Sequence, residues 1–171
     1  MEMNDLRKID TDLAARAHTL GIRYASPIPA ALLPLGQILK NRCLNSRCNI
    51  RSALAILADG TITTCGMGRY VDDFRYGELG KDNVAETWVN HPTLRTIREK
   101  VPRELSGVCG RCVFRDSCFG RCRILNENVT LDSLCEPFWF CAEMESRGLF
   151  PDTRIIEREH GGTAAALAPE Q

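Results

Sequence analysis

The chain has 171 residues, and its 22 lysines and arginines balance 22 aspartates and glutamates, so the formal net charge is zero. This balance gives no support to binding of nucleic acid or of a membrane surface, because both need a basic excess. The polar, acidic start lacks the features of a signal peptide, and no apolar run approaches the roughly 20 residues that span a bilayer. We therefore expect a cytoplasmic protein.

Cysteine is over-used, with nine in the chain. In a reducing cytosol, a high density of cysteines favours metal binding over disulfides. An odd number also fits a disulfide framework poorly. Metal ligation is therefore the leading explanation.

The N-terminal part, residues 1–41, predicts a helix, a short strand and a connector. Apolar residues at spacings of three and four favour an amphipathic helix over 4–20. Residues 21–25 are compatible with a short strand. The proline-punctuated stretch 26–36 predicts a connector that packs its leucines.

The clearest local structure is a hairpin over residues 53–65. Two apolar, β-prone runs flank Asp59 and Gly60, a pair typical of a tight turn in which both central residues have positive φ. Helical patterns follow at 83–90 and 93–101, and Pro92 separates them.

Cysteine-rich loops are expected over residues 105–135, where glycines are frequent and no long periodic element fits. Residues 137–147 predict a short helix, with Pro137 at its first position and Gly148 just past its end. The charged and then Gly/Ala-rich residues 157–171 predict a disordered tail.

The densest cysteine run reads Cys109-x2-Cys112-x5-Cys118-x3-Cys122. A CxxC turn places two thiolates on one metal, and a third thiolate shortly afterwards can reach the same centre. The fourth cysteine of so tight a run often cannot close the same site and ligates a second one. The spacing therefore indicates two metal centres that share this run.

The other cysteines can complete both centres. The hairpin would bring Cys48 close to Cys65, Cys43 lies just before Cys48, and Cys122 would supply the fourth ligand. The remaining three cysteines of the dense run need one more ligand, either Cys135 or Cys141.

This pattern resembles the SPASM domain, the auxiliary-cluster extension of radical SAM enzymes that modify peptides and proteins. The resemblance is carried by Cys48-x11-Gly60-x4-Cys65, by the CxxCx5Cx3C run at 109–122 and by a final cysteine, over roughly residues 42–141. It implies two 4Fe–4S clusters. The implied ligands are Cys43, Cys48, Cys65 and Cys122 for the first cluster, and Cys109, Cys112, Cys118 and a downstream cysteine for the second.

For that downstream ligand we predict Cys135, with Cys141 as the alternative. Cys135 ends a loop just before the helix proposed at Pro137, where backbone N–H groups and the helix dipole favour a thiolate. The residues LDSLC also resemble the approach to the last cysteine of the family. Cys141 lies within the helix on its apolar face, where a free buried cysteine is the simpler interpretation.

The CxxxCxxC motif, with which radical SAM enzymes bind S-adenosylmethionine, has no counterpart in the sequence. The barrel that holds this motif needs about 200 residues, and far fewer precede Cys43. We therefore expect a chain that is not an enzyme alone. The expected role is that of an accessory protein for electron transfer or substrate holding, with a radical SAM enzyme or its peptide substrate as partner. The alternative is the C-terminal part of a split or truncated radical SAM enzyme.

The expected fold is α+β: a small cysteine-rich domain over 42–156 with one β-hairpin, short helices and long cluster-binding loops. Two zinc sites of four cysteines each are the main rival, in a zinc-stabilised interaction module. Such sites commonly use paired CxxC knuckles, and only one CxxC is present here.

Arginines and aromatic residues accompany the cysteines. Guanidinium groups could stabilise negatively charged clusters, although each arginine could equally be a solvated surface residue. The aromatic residues are interpreted as core rather than as a shield for a cluster. The arginines are Arg42, Arg47, Arg51, Arg111, Arg115, Arg121 and Arg123, and the aromatic residues are Trp88, Phe138, Trp139 and Phe140.

Overall fold

The computed structural model describes residues 3–41, 48–126 and 129–156. The fold is α+β, as predicted, with a small antiparallel sheet among mostly short helices. The helices are α1 (Met3–Thr19), α2 (Leu35–Asn41), α3 (Val84–Asn90), α4 (Pro92–Lys100), α5 (Gly107–Arg111), α6 (Arg115–Cys118) and α7 (Trp139–Ser146). The strands are β1 (Ala55–Ile56), β2 (Thr61–Thr63) and β3 (Arg75–Glu78), in the spatial order β1-β2-β3.

The predicted hairpin is confirmed, but its turn differs from the prediction. Strand β1 pairs with β2 so that Ile56 faces Ile62. Gly60 has a φ of 86°, whereas Asp59 does not have positive φ. The Leu57 N–H donates to the Thr61 carbonyl and the Gly60 N–H to the Leu57 carbonyl. The connection is therefore a three-residue loop that ends in a left-handed glycine, not a two-residue turn.

The sequence did not predict β3, which extends the hairpin to three strands. It pairs antiparallel with β2, with Thr61 opposite Glu78. A strand of four residues that contains a glycine gives little periodic signal. Gly77 is needed there because a Cβ would come within 2.5 Å of an Asp82 carboxylate oxygen, and that oxygen accepts the Glu78 N–H at 2.8 Å.

The N-terminal prediction is correct for the helix and wrong for the strand. Helix α1 ends at Thr19, and Gly21 follows with a φ of 66°. Residues 21–25 form no strand, because side chains fold this segment back onto α1. The hydroxyls of Tyr24 and Ser26 both donate to the buried Asp10 carboxylate, at 2.8 and 2.6 Å.

The C-terminal half matches the predicted pattern of short elements. Helices α3 and α4 are separate, with Pro92 at the first position of α4. Helix α7 begins two residues later than predicted, because Phe138 is still extended, with φ −60° and ψ 125°. The predicted tail, 157–171, lies outside the described residues. None of the helices that the structure describes is both long and apolar enough to cross a membrane.

Two apolar cores support the fold, and each borders part of the cysteine set. The first, here named the α5–α7 core, includes Leu32, Leu105, Val108, Phe138, Met144 and Phe150, together with Cys109, Cys112 and Cys141. The second, here named the sheet core, includes Ile50, Ile62, Phe74, Leu94, Ile97 and Leu134, with Cys48, Cys65 and Cys122 packed against it.

The glycine inside the CxxC turn should be essential for stability. A Cβ on Gly110 would come within 2.1 Å of the Leu105 carbonyl oxygen, which is backbone and cannot easily move. We expect Gly110→Ala to lower the free energy of unfolding by about 3 kcal/mol, in the range of severe overpacking. Urea unfolding of the full chain measures this change.

Gly66, which follows Cys65, provides the matched control. A Cβ there would meet nothing within 4 Å, so Gly66→Ala should stay within about 0.5 kcal/mol of the parent. Equal destabilisation by both substitutions would show that the contact with Leu105 is not the cause.

Candidate metal centres

The first group of cysteines, here named group 1, lies at the end of the sheet. Cys48 precedes β1, Cys65 follows β2, and Cys122 ends the loop before a 3-10 turn at Arg123–Leu125. The hairpin brings Cys48 and Cys65 together with Cys122, so that the charges of these two thiols raise the pKa of Cys48. Cys43, the fourth predicted member, lies outside the described residues.

Two opposing effects act on the pKa of the Cys48 thiol in group 1. Burial raises its pKa, and the backbone N–H groups of Ile50 and Arg123 oppose that effect. These N–H groups are well placed to stabilise a deprotonated sulfur. The environment therefore keeps a free thiol protonated and would support a thiolate once a metal displaces the proton.

The second group, here named group 2, consists of Cys109, Cys112, Cys118 and Cys141. Cys109 lies on α5, Cys112 directly follows that helix, and Cys118 ends α6. Cys141 lies on α7, which packs against α5. All four thiols line one cavity of about 20 Å³, whose other walls include Pro29, Val108, Phe114 and Phe150.

This cavity has room for about one water molecule, so the four side chains must move apart to hold anything larger. Among the described residues, no three His, Cys, Asp or Glu side chains are arranged to hold a single metal ion. The donors of group 2 are thiols alone, which is the ligand chemistry of an iron–sulfur cluster. Its cysteine donor set therefore fits such a group.

The thiols of Cys109 and Cys141 are joined by a hydrogen bond. The Cys141 thiol hydrogen-bonds to the Cys109 sulfur and lowers the pKa of Cys109 to about 7, assisted by the Phe138 N–H and by the positive charge of Arg123. The Phe138 N–H lies 3.3 Å from that sulfur. The same hydrogen bond, together with burial, raises the pKa of Cys141.

The other two thiols of group 2 resist ionisation in the free protein. Burial raises the pKa of Cys112 to about 11, although the Phe114 N–H donates to its sulfur at 3.3 Å. Burial also raises the pKa of Cys118, against the Arg121 N–H. Metal binding at group 2 must therefore release protons.

Cys135 lies apart from group 2. It ends a 3-10 turn at Asp132–Cys135, and its carbonyl accepts both the backbone N–H and the hydroxyl of Ser106, at 2.8 and 3.1 Å. Burial raises the pKa of its thiol, and the charged groups that act on it are Glu104, Lys100 and Arg123, with no cysteine among them. The N–H at the start of α7 points at Cys109, not at Cys135. The geometry thus favours Cys141 over the predicted Cys135, and the ligand itself stays a prediction.

Arg123 is the residue that sequence reasoning underestimated. Its side chain is fully buried, at 1% exposure. The guanidinium donates to the carbonyls of Gly120, Leu134 and Glu136, while its Nε has no partner among the residues that the structure describes. Among the described residues it forms no ion pair with a carboxylate.

The charges of cysteines from both groups affect the pKa of Arg123. Burial lowers the pKa of Arg123, and the charges of Cys109, Cys118, Cys48 and Cys135 oppose that effect. A buried cation normally requires negative partners. For Arg123, the candidates in the described part of the chain are cysteine sulfurs.

The other described arginines have ordinary structural roles. Arg111 pairs with Glu145, Arg115 with Asp116, and Arg121 donates to the Pro27 carbonyl at 2.7 Å. Arg51 donates to the Arg98 carbonyl at 3.2 Å. Arg42 and Arg47 lie outside the described residues. The sequence could not separate Arg123 from these, since burial depends on long-range packing.

The aromatic residues divide between core and surface. Phe138 is buried, and Trp88 and Phe140 are partly buried, in agreement with the prediction of core positions. Trp139 is 51% exposed, so the prediction is wrong for it. It begins α7 on the side away from the core.

A comparison with protein families gives the class of this site. Residues 48–113 match an iron–sulfur cluster-binding domain. That family is SPASM, so the match agrees with the resemblance found in the sequence. The matched range includes Cys48, Cys65, Cys109 and Cys112. Comparisons with curated proteins and with solved structures give no match.

The choice between Cys141 and Cys135 can be tested by metal analysis. Cys141 lines the same cavity as the other thiols of group 2, whereas the Cys135 thiol has no cysteine among the charged groups that act on it. We expect Cys141→Ala to lose about half of the bound iron, since one of two four-iron sites would lack a ligand. Cys135→Ala should retain nearly all of it. Iron and sulfide analysis after anaerobic reconstitution measures both, and the reverse result would return the ligand role to Cys135.

Proposed function

We propose that this protein binds two 4Fe–4S clusters and serves as an accessory protein in a radical SAM system that matures peptides or proteins. The observation that carries the proposal is the division of the cysteines into two groups, each against its own core, within a SPASM chain. Group 1 with Cys43 would hold one cluster and group 2 the other.

The family match supports iron over zinc, since four thiols suit both equally well. Both groups consist of thiols alone among the described residues, and none of the eight described cysteines forms a disulfide. Free thiols accord with a reducing compartment, so we propose a cytoplasmic location.

The protein can support electron transfer in specific ways. A bound cluster of this type supplies one-electron redox chemistry at a potential set by charge, hydrogen bonds and exposure. The chain contributes backbone N–H groups aimed at sulfurs, from Phe114 to Cys112 and from Phe138 to Cys109. It also contributes apolar walls that limit water around group 2. The N–H groups stabilise the more reduced, more negative state, whereas the apolar walls disfavour it by excluding water, so the two features oppose each other in setting the potential.

A second candidate is the C-terminal part of a split radical SAM enzyme. It is favoured by exposed apolar residues on α1 and directly after it: Ile9, Leu13 and Leu20 are 49%, 48% and 62% exposed. Such a stripe is typical of a surface that packs against another element. The two candidates differ in whether the radical SAM partner works without this chain.

The metal content tests the proposal directly. Anaerobically reconstituted full chain should hold about eight irons and eight sulfides, be brown, and give EPR signals after reduction with dithionite. Cys48→Ala should keep about four irons, because group 2 is built from other elements. Two zincs and no iron, in protein made anaerobically with ample iron, would refute the iron–sulfur proposal.

Activity with S-adenosylmethionine tests the accessory role. The chain alone should yield no 5′-deoxyadenosine with a strong reductant, because clusters ligated by four cysteines offer no open iron for the cofactor. Added to a CxxxCxxC-bearing partner, it should increase the rate or extent of peptide modification, and Cys48→Ala should reduce that gain without abolishing peptide binding.

The outcomes separate the candidates. A partner that is active alone and faster with the chain supports the accessory role, whereas a partner that is inactive until the chain is added supports the split enzyme. Substantial 5′-deoxyadenosine from the isolated chain would contradict both.

A further inference from the structure

The turn between the two cysteine groups has an unusual backbone. Cys118 of group 2 and Cys122 of group 1 are separated by Phe119, Gly120 and Arg121, and these three have φ values of 56°, 68° and 63°. Left-handed conformations are strained for residues other than glycine. Phe119 and Arg121 therefore need support from their surroundings.

Arg123 provides that support from below the turn. Its guanidinium donates to the Gly120 carbonyl, and the approach is so close that a Cβ on Gly120 would lie 2.8 Å from the guanidinium carbon. The same guanidinium donates to the carbonyls of Leu134 and Glu136, in the segment that leads into α7. One side chain thus connects the turn between Cys118 and Cys122 to the segment that carries Cys135 and leads into α7.

The charge of Arg123 is as significant as its hydrogen bonds. The side chain is 1% exposed, its Nε has no partner in the described part of the chain, and carbonyl oxygens supply only partial negative charge. A buried charge without an opposite charge is strongly destabilising. A permanent positive charge that is buried this deeply indicates that fully charged anionic groups lie near it when the clusters are bound.

We propose that Arg123 is a counter-ion shared by both clusters, so that its charge raises both reduction potentials and its hydrogen bonds stabilise the loading of both sites. This inference rests on the proposed function, which supplies the two clusters. Arg123 acts through charge and through the position of the turn, and is therefore a positioning residue. A nearby positive charge favours the reduced, more negative state of a cluster. In a poorly solvated interior its effect reaches both sides.

The test compares Arg123→Gln and Arg123→Lys in the full, anaerobically reconstituted chain. Potentiometric titration followed by EPR gives the potential of each cluster, and the rate of iron loss to a chelator gives cluster retention. Arg123→Gln should shift both potentials to more negative values and accelerate iron loss at both sites by about tenfold or more, as for other groups that support metal ligands. Arg123→Lys keeps the charge and should hold both potentials nearer to those of the parent.

Arg111→Gln is the matched control. Arg111 lies between Cys109 and Cys112 in sequence, but its side chain is half exposed and paired with Glu145, so solvent screens its charge. We expect both potentials to stay unchanged in this variant. An equal shift in Arg111→Gln and Arg123→Gln would overturn the inference.

The remaining outcomes are also decisive. If both reduction potentials of Arg123→Gln equal those of the parent, or if only one of them shifts, Arg123 is not a shared counter-ion. Equal shifts in the Lys and Gln variants would refute the role of charge. If Arg123→Gln takes up no iron, two clusters in Arg123→Lys support the proposal, and failure of both variants to load overturns it. If the parent chain takes up no iron, the proposed function is refuted. If the parent holds two clusters whose potentials do not change when Arg123 is replaced, only this inference is refuted.

Discussion

The burial of a guanidinium between two sets of thiols is the constraint on which the rest of the structure depends. Transferring such a charge from water is costly, and the cost is recovered only with good hydrogen bonds and opposite charges. Arg123 obtains three carbonyl oxygens from two chain segments. These bonds require Gly120 to have no side chain. The left-handed turn, the glycine and the segment that leads into α7 are therefore parts of one arrangement.

The same arrangement explains why the thiols are poised but protonated. Burial is the largest effect that raises the pKa of Cys48, Cys112 and Cys118. Backbone N–H groups lower the pKa of all three thiols, and the charge of Arg123 also lowers that of Cys118, so the protein can stabilise thiolates that form when metal binds. Cys109 is the exception, because the Cys141 thiol donates to it. Without metal, most of these thiols are protonated, so little charge is buried. Metal binding releases their protons, and the bound metal then balances the charge of the thiolates.

The sequence predicted the elements that have local signals and missed those that depend on tertiary contacts. The hairpin, α1, α3 and α4 follow from periodicity, Asp59-Gly60 and Pro92. Strand β3 was missed because its four residues pair only through β2. For the site, spacing grouped Cys48 with Cys65, and Cys109 with Cys112 and Cys118. It could not choose between Cys135 and Cys141, since that choice depends on the packing of α7 against α5.

The position of α7 also explains why the argument from a helix N-terminus and the geometry of the folded chain favour different thiols. Such a terminus does present free N–H groups to a nearby anion, and sequence proximity made Cys135 the natural recipient. In the folded chain, Phe138 is still extended before α7, and its N–H reaches across to Cys109, 29 residues earlier. Helix α7 thereby contributes to group 2 twice, through this N–H and through the Cys141 side chain. Cys135 instead uses its carbonyl to hold Ser106 at the start of α5. Through this backbone contact Cys135 supports the placement of Cys109, and its thiol takes no part in the contact.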